Sequence, residues 1–341
     1  VSASKPVLYG DVQRWGLVQD DALSLLAKLP RSCVDAIVTD PPYGIGFHDE
    51  AWDGEHIYGS ASPGDGRGAR EAFADWTRVW ASECRRVLKP GGHMVAFGCP
   101  RTFHRLTSGI EDAGLDVRDV LLWLNDQGVP KSRRLAGGRG TALKPAYEPI
   151  LLSRAPIKGG VAGNAEAWGT GALNIDAARI KASTTPGYWP ANLALSHAPG
   201  CHEKEGGCMA GCPVRLIDRA APRKQPSRFF YCAKVSRQER EAGCERLPER
   251  AIPIYTGDKH KGRVVRNIHP TVKPIELMRW LVRLTCPPGG VVLDPFTGSG
   301  STGAAAMLEG RQFFGIEREH QYVRVATARL EHWARIAAGA A

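Results

Sequence analysis

Short apolar runs alternate with stretches of helical spacing over the first 154 residues. Leu17-Val18-Gln19-Asp20-Asp21 reads as a strand ending in acids, and Ala22 to Leu29 carries a short helical pattern closed by Pro30. Val34-Asp35-Ala36-Ile37-Val38 has strand character and runs straight into Thr39-Asp40-Pro41-Pro42-Tyr43-Gly44. Phe73, Trp76, Val79, Trp80, Cys84, Val87 and Leu88 recur at the spacing of a buried helix face, which predicts a helix over 71–88. Lys89-Pro90-Gly91-Gly92 is expected to end it ahead of a strand at 93–97. Strand-like runs return at 117–124 and 148–152, while residues 53–70, rich in Gly, Ser and Asp, read as a loop.

Clear periodicity disappears from about 155 to 262, where Gly, Pro, Arg and Cys are scattered. It returns in an amphipathic helix over 274–286, preceded by His269-Pro270-Thr271-Val272-Lys273. Val291-Val292-Leu293-Asp294-Pro295-Phe296-Thr297-Gly298-Ser299-Gly300 then gives a buried strand, a glycine turn and an Ala-rich helix. Phe313-Phe314-Gly315-Ile316-Glu317 is a further strand ending in an acid, and 322–336 a closing helix. Short strands alternating with helices imply an α/β fold with a Rossmann-like, mostly parallel sheet. The division expected is 1–154, an irregular insert at 155–262, and 263–341.

Composition narrows the class. The chain has 341 residues, 43% hydrophobic and 23% charged, as in ordinary globular proteins. No apolar run reaches the roughly 18–20 residues of a membrane span and no signal-peptide pattern opens the chain, so a cytoplasmic location is expected. The formal charge of +10 favours a polyanionic partner. The insert holds 16 Lys and Arg against 10 Asp and Glu, and its cluster Arg223, Lys224, Arg228, Phe229, Phe230 and Tyr231 could meet phosphates and stacked bases. Nine cysteines, an odd number with no export signal, argue against a disulfide framework.

The Asp-Pro-Pro-Tyr corner carries the first chemistry. Pro41 and Pro42 lack N–H groups and fix φ, so the strand ladder stops there. Asp40, the Pro41 carbonyl and the Tyr43 ring are left at the carboxyl edge of the sheet, where open α/β folds bind ligands. A carboxylate and a carbonyl accept from an –NH₂ group while a ring stacks on the heterocycle bearing it, which makes a site for an amino-bearing base. The Asp294–Gly300 turn, with a helix after it, resembles a dinucleotide-binding turn. It departs from Gly-x-Gly-x-x-Gly because Asp294 and Phe296 stand where a pyrophosphate needs small neutral residues. Glu317, at the tip of the next strand, is placed to accept both hydroxyls of a ribose. S-adenosylmethionine, with an adenosine and an amino-acid end, fits these residues better than NAD.

Val34–Phe47, Arg86–Gly98, Lys144–Leu152, Ser227–Arg240 and His269–Tyr322 together resemble the amino-group DNA methyltransferases of the permuted β order, in which the catalytic motif precedes the cofactor motif. The similarity is strongest to phage- and prophage-type adenine methylases. The resemblance implies that Asp294, Phe296, Gly298, Ser299 and Gly300 bind the cofactor's methionine and adenosine parts and that Glu317 holds the ribose. It implies that Asp21, with Asp20 as a rival, meets the cofactor adenine, and that Lys273 faces the cofactor carboxylate. Asp40, Pro41, Pro42 and Tyr43 would receive a base flipped out of double-stranded DNA. Adenine N6 is the expected target and cytosine N4 the alternative, since both are amino groups beside a ring nitrogen. Methylation of RNA or of a protein amide, or an inactive DNA-binding relative, are more distant readings.

By position, 155–262 is the expected target-recognition region, with Arg223, Lys224 and Arg228 toward DNA. His197, Cys201, Cys208 and Cys212 could supply four ligands for a structural zinc, with His202, Cys232 and Cys244 as rivals. The sequence holds no nuclease motif, so a partner nuclease would be a separate chain, and it leaves monomer and homodimer open.

Overall fold

The computed structural model describes residues 14–45, 53, 69–125, 135–180, 185–198, 201, 208–209, 212–220, 226–233, 237–252 and 263–339. Its first part holds β1 (Trp15–Gln19), α1 (Ala22–Leu26), β2 (Val34–Thr39), α2 (Ala69–Val87), β3 (Leu88–Phe97), α3 (Phe103–Asp112), β4 (Asp116–Leu124) and β5 (Tyr147–Arg154). There follow α4 (Val161–Trp168), β6 (Leu193–Ser196), α5 (Pro213–Ala220), β7 (Tyr231–Ala233), α6 (Arg237–Glu241), β8 (Arg250–Ile252) and β9 (Arg263–Val265). The last part is α7 (Ile275–Thr285), β10 (Val291–Asp294), α8 (Ser301–Leu308), β11 (Gln312–Glu317) and α9 (His320–Ala337).

Among the described residues, nine strands form one sheet in the order β1-β11-β10-β2-β3-β5-β4-β6-β7. Strand β5 runs against both of its neighbours, and every other adjacent pair is parallel. Strand β2 lies in the middle and is buried along its whole length. From Ala36 to Val38 its side chains alternate between two cores, as a pleated strand requires, while Val34, beyond the register break before Ala36, falls out of that phase. Ala36 and Val38 join the core under α7, α8 and α9, built on Trp280, Leu281, Ala304 and Leu330. Val34 and Ile37 join the opposite core with Leu26, Phe73, Trp80 and Ile110 of α1, α2 and α3.

Two expectations change. Lys89-Pro90-Gly91-Gly92 does not separate helix from strand, because β3 starts at Leu88 and carries these residues as a bulge. The β2–β3 register jumps from Val34 opposite Leu88 to Ala36 opposite His93. The Pro90 carbonyl accepts from Thr170 Oγ1 (2.6 Å) and Asn164 Nδ2 (2.9 Å), which satisfies the backbone that the ladder leaves out. The stretch 155–262 is less irregular than its composition suggests, since β6 and β7 extend the main sheet and β8 pairs antiparallel with β9, just past its end, in a separate two-stranded sheet. Among the described residues, no helix is long and apolar enough to cross a membrane.

Close packing between α8 and its neighbours explains the helix's composition of Ser, Thr, Gly and Ala. A Cβ on Gly303 would stand 2.6 Å from the Phe313 ring and closer still to Leu330 Cδ2. Gly303→Ala should therefore lower stability by about 1–3 kcal/mol, the usual cost of overpacking, despite its higher helix propensity. Urea denaturation followed by circular dichroism checks this; a variant as stable as the parent would contradict it.

Candidate active site

Parallel pairing of β2 with β10 sets Val292 opposite Ala36 and Leu293 opposite Ile37. The residues after both strands therefore emerge at one carboxyl edge. Asp21, Asp40, Pro41, Pro42, Tyr43, Lys273, Asp294, Phe296, Gly298, Ser299 and Glu317 all line a single pocket there. Asp20 does not line it; it pairs with Lys28 at 3.1 Å on the surface. Asp21 also caps α1, accepting from the Ser24 N–H at 3.1 Å.

The Asp-Pro-Pro-Tyr corner is cross-linked on every side. The Tyr43 hydroxyl donates to Asp40 Oδ1 at 2.7 Å, with Glu148 Oε2 3.1 Å away. Lys273 Nζ donates to Asp40 Oδ2 at 2.6 Å and lies 3.2 Å from Glu148 Oε2. The ammonium also sits over the Phe97 ring, 5.0 Å from its centroid. Burial pushes the Lys273 ammonium down, but the Asp40 and Glu148 carboxylates outweigh it and the net shift is upward, so Lys273 stays charged. Burial, with the same two acids, raises the Tyr43 hydroxyl well above its ordinary value and keeps it a donor. Lys273 thus meets the acid of the base corner, where the family resemblance puts it at a cofactor carboxylate.

Two residues of this corner escape a reading of the sequence. Glu148 reaches it because β5 is antiparallel, so the start of β5 lies at the carboxyl ends of its neighbours. Asp53 lies in the Gly-, Ser- and Asp-rich stretch, yet it is fully buried. Its carboxylate accepts from the N–H groups of Tyr43 (2.5 Å), Gly44 (2.8 Å) and Ile45 (3.3 Å), which fixes the turn. The sequence signals for Glu148 are its place in a strand-like run and in the Lys144–Leu152 segment of family resemblance, neither of which gives it a role; Asp53 gives none.

On the other side of the pocket, Asp294 Oδ1 accepts from the Thr39 hydroxyl (2.7 Å) and the Phe296 N–H (3.1 Å). Burial raises its carboxyl to about 6 against the pull of Thr302, Thr39 and Phe296. Glu317 accepts from the N–H groups of Gly298 and Glu319, each at 2.8 Å. Burial raises it to about 7 although both N–H bonds oppose that. Gly298 has φ +54°, and a Cβ there would lie 2.7 Å from His269 Nε2. Burial, then the charges of Lys273 and Arg240, lowers His269 to about 3, so a neutral imidazole packs on the turn. Fully buried Arg329 ties the turn to α6, donating to the Ser299 carbonyl (2.9 Å) and to those of Glu239 (2.7 Å) and Arg240 (2.8 Å). Phe296 packs edge-on against Trp80 (83°, centroids 5.4 Å apart) and tilted against Trp76 (46°, 5.8 Å).

The insert residues are placed more unevenly. Arg228 is exposed, whereas Arg223, Lys224 and His202 lie outside the described residues. Tyr231 is not available to stack on bases: it stacks on Trp280 at 5.0 Å and 9°, and its hydroxyl donates to the Glu276 carbonyl at 2.7 Å. Phe230 packs on a small apolar core instead of facing solvent. His197, Cys201, Cys208 and Cys212 converge, with their ligand atoms all within 4.8 Å of one another. Cys244 is buried beside Arg329 and takes no part in that group.

A family model described as DNA methylase matches residues 34–328. The DNA adenine methyltransferase YhdJ of Escherichia coli K12 is 26% identical over 331 residues, covering 96% of this chain and 86% of YhdJ. Among solved structures, the cytosine-N4-specific PvuII DNA methyltransferase superposes with a TM-score of 0.52 at 16% identity, covering 97% of each chain. A DNA modification methylase from Thermus thermophilus, TTHA0409, complexed with S-adenosyl-L-methionine, gives 0.50 at 20% identity over 95% of each chain. At these identities the two structures bear on the fold alone.

Asp53→Ala would strand three backbone donors at the turn that carries Tyr43. It should cost about 2–4 kcal/mol of stability, as lost bonds to a buried carboxylate do. Chemical denaturation checks the value, and a cost below about 0.5 kcal/mol, the size of an ordinary surface change, would contradict the role.

Proposed function

The chain belongs to the DNA methylase family whose model spans residues 34–328, and from that premise we propose that it methylates the N6 amino group of an adenine flipped out of duplex DNA. One observation carries the reading: the Asp40–Tyr43 corner and the Asp294–Glu317 edge open on one pocket, with Thr39 and Asp294 bonded across 255 positions of sequence. The base side offers acceptors for an amine and the other side offers acceptors for hydroxyls. S-adenosylmethionine supplies an electrophilic methyl group on a sulfonium. Its adenosine and amino-acid parts suit the pocket-lining set Asp21, Asp294, Phe296, Gly298, Ser299 and Glu317, whereas Gly300 (φ +80°) does not line the pocket and packs toward Leu330 and Ala326 of α9. Both oxygens of Glu317 already accept one N–H and keep further lone pairs, which fits a ribose diol.

The residues then divide the work. Asp40 and the Pro41 carbonyl accept from the exocyclic N–H groups and turn the nitrogen lone pair toward the methyl carbon. Each Asp40 oxygen has one partner, Tyr43 or Lys273, and retains capacity for the incoming amine. Asp40, Glu148 and Lys273 together carry a formal charge of minus one, so the corner still favours the positive charge that grows on nitrogen. Pro42 stiffens the corner, and the Tyr43 ring stacks on the base.

Adenine is favoured over cytosine by the Asp-Pro-Pro-Tyr corner and by the 26% identity to an adenine methyltransferase. The Asp-Pro-Pro-Tyr motif ahead of the cofactor turn matches the permuted β order. Residues 1–154 would carry the base site, 155–262 target recognition with Arg223, Lys224 and Arg228, and 263–341 most of the cofactor site.

Three outcomes are expected. Nucleoside mass spectrometry of duplex DNA treated in vitro should show N6-methyladenine, and N4-methylcytosine as sole product would overturn the assignment. Asp40→Ala should cut transfer by at least about 10²–10³-fold while cofactor affinity changes little. For Glu317, protonation at about 7 removes an acceptor needed by the ribose. Cofactor affinity should therefore rise with pH, by up to roughly tenfold between pH 6 and 8, and Glu317→Gln should flatten the profile. Calorimetric titration across that range reads it directly; a pH-independent parent would contradict it.

A further inference from the structure

Beyond the active site, we infer that His197, Cys201, Cys208 and Cys212 form a structural zinc site that staples the end of β6 to the start of α5. Two ligand-atom separations are close to those of a tetrahedral zinc centre, and the rest fall within 4.8 Å. Metal–ligand lengths of about 2.3 Å for sulfur and 2.0 Å for nitrogen put tetrahedral ligand atoms roughly 3.5–3.8 Å apart. Cys208 Sγ lies 3.3 Å and Cys212 Sγ 3.7 Å from His197 Nδ1, and all four ligand atoms fall within 4.8 Å of one another. Cys201, Cys208 and Cys212 are unbridged thiols. Thiols are weak hydrogen-bonding groups, so three of them gain little by converging on an imidazole unless a soft cation joins them.

The surroundings suit a thiolate-rich centre. The Met209 N–H donates to Cys201 Sγ at 3.4 Å, and Arg215 Nη1 donates to the Cys208 carbonyl at 2.7 Å. Zinc binding would release three thiol protons to solvent and take His197 neutral through Nδ1, leaving a net charge of minus one beside the Arg215 guanidinium. A metal also answers an energetic need. Among the described residues the local core has four buried residues, Leu195, Ala198, Cys212 and Val214, with partly buried neighbours such as Ile217 and Phe230, a small core that a metal staple would reinforce.

The staple reaches beyond its own loop. His197 follows Ser196, whose Oγ accepts from Trp123 Nε1 at 2.7 Å. From α5, Asp218 accepts from Ser227 N (2.9 Å) and Oγ (2.7 Å), which positions the turn leading to β7. The site thus fixes the outer edge of the sheet, where β6 and β7 lie, without touching the catalytic pocket.

Metal analysis of the purified full-length chain should find zinc near one equivalent. The reduced, metal-stripped protein with Co²⁺ should show the intense visible bands of a tetrahedral, sulfur-rich site. Cys208→Ser and Cys212→Ser should lose the metal, Cys33→Ser should keep it, and His197→Cys should retain it as a four-sulfur site. Chelation should speed proteolysis between 197 and 233. Zinc near zero in protein from zinc-supplemented cells, a Co²⁺ spectrum without tetrahedral bands, or iron in place of zinc would each overturn the assignment. The parent's Co²⁺ spectrum decides even if a serine variant fails to fold, and metal content is read independently of methyl transfer.

Discussion

Thr39 donates to Asp294 at 2.7 Å between the ends of β2 and β10, and the pocket depends on the parallel pairing which that contact reports. The two strands are neighbours in the middle of the sheet although the insert and three helices lie between them in the chain. A parallel pair delivers both carboxyl ends to the same edge, so the acid after β2 and the acid ending β10 face one space. Strand β11 adds Glu317 at the same level and β1 leads into Asp21. Reverse the direction of β10 and its acid would leave at the opposite edge of the sheet.

Electrostatics then constrains what such a space can contain. Acids line both of its sides, and taking like charges out of water together is costly unless cations or donors meet them. At the base corner Asp40 and Glu148 share the single Lys273 ammonium, which leaves a net charge of minus one. Asp294 and Glu317 are held by hydroxyl and N–H donors instead, and their carboxyls are raised to about 6 and 7. The base side therefore keeps a fixed ion pair, and the other side keeps acids whose charge responds near neutral pH. That division matches a nucleobase on one side and a polyhydroxylated ligand on the other.

Much of this is legible in the chain. The strands of the two halves stand out because apolar runs of β character end in acids, glycines or prolines, and those acids are the ones that line the pocket. The Lys89–Gly92 bulge misleads because a Pro-Gly-Gly run has the same composition whether it ends a helix or kinks a strand; only Asn164 and Thr170 bonding the Pro90 carbonyl decides it. Tyr231 looks like a stacking platform because an aromatic beside arginines suits nucleic acid. Its ring lies on Trp280 instead, a contact set by β7 joining the sheet.

By itself the sequence determined the kinds of chemistry present: an amino-accepting corner, hydroxyl-accepting acids, and a set of three thiols and an imidazole. Those follow from residue type and local punctuation, which are properties of short stretches. Tertiary structure alone decided the partners. Glu148 enters because one strand runs backwards, Asp53 because its buried carboxylate meets the N–H groups of Tyr43, Gly44 and Ile45, and Lys273 pairs with Asp40 because α7 packs against the core side of β2 and β3. Each is a contact between distant segments, and distance along the chain carries no signal for it.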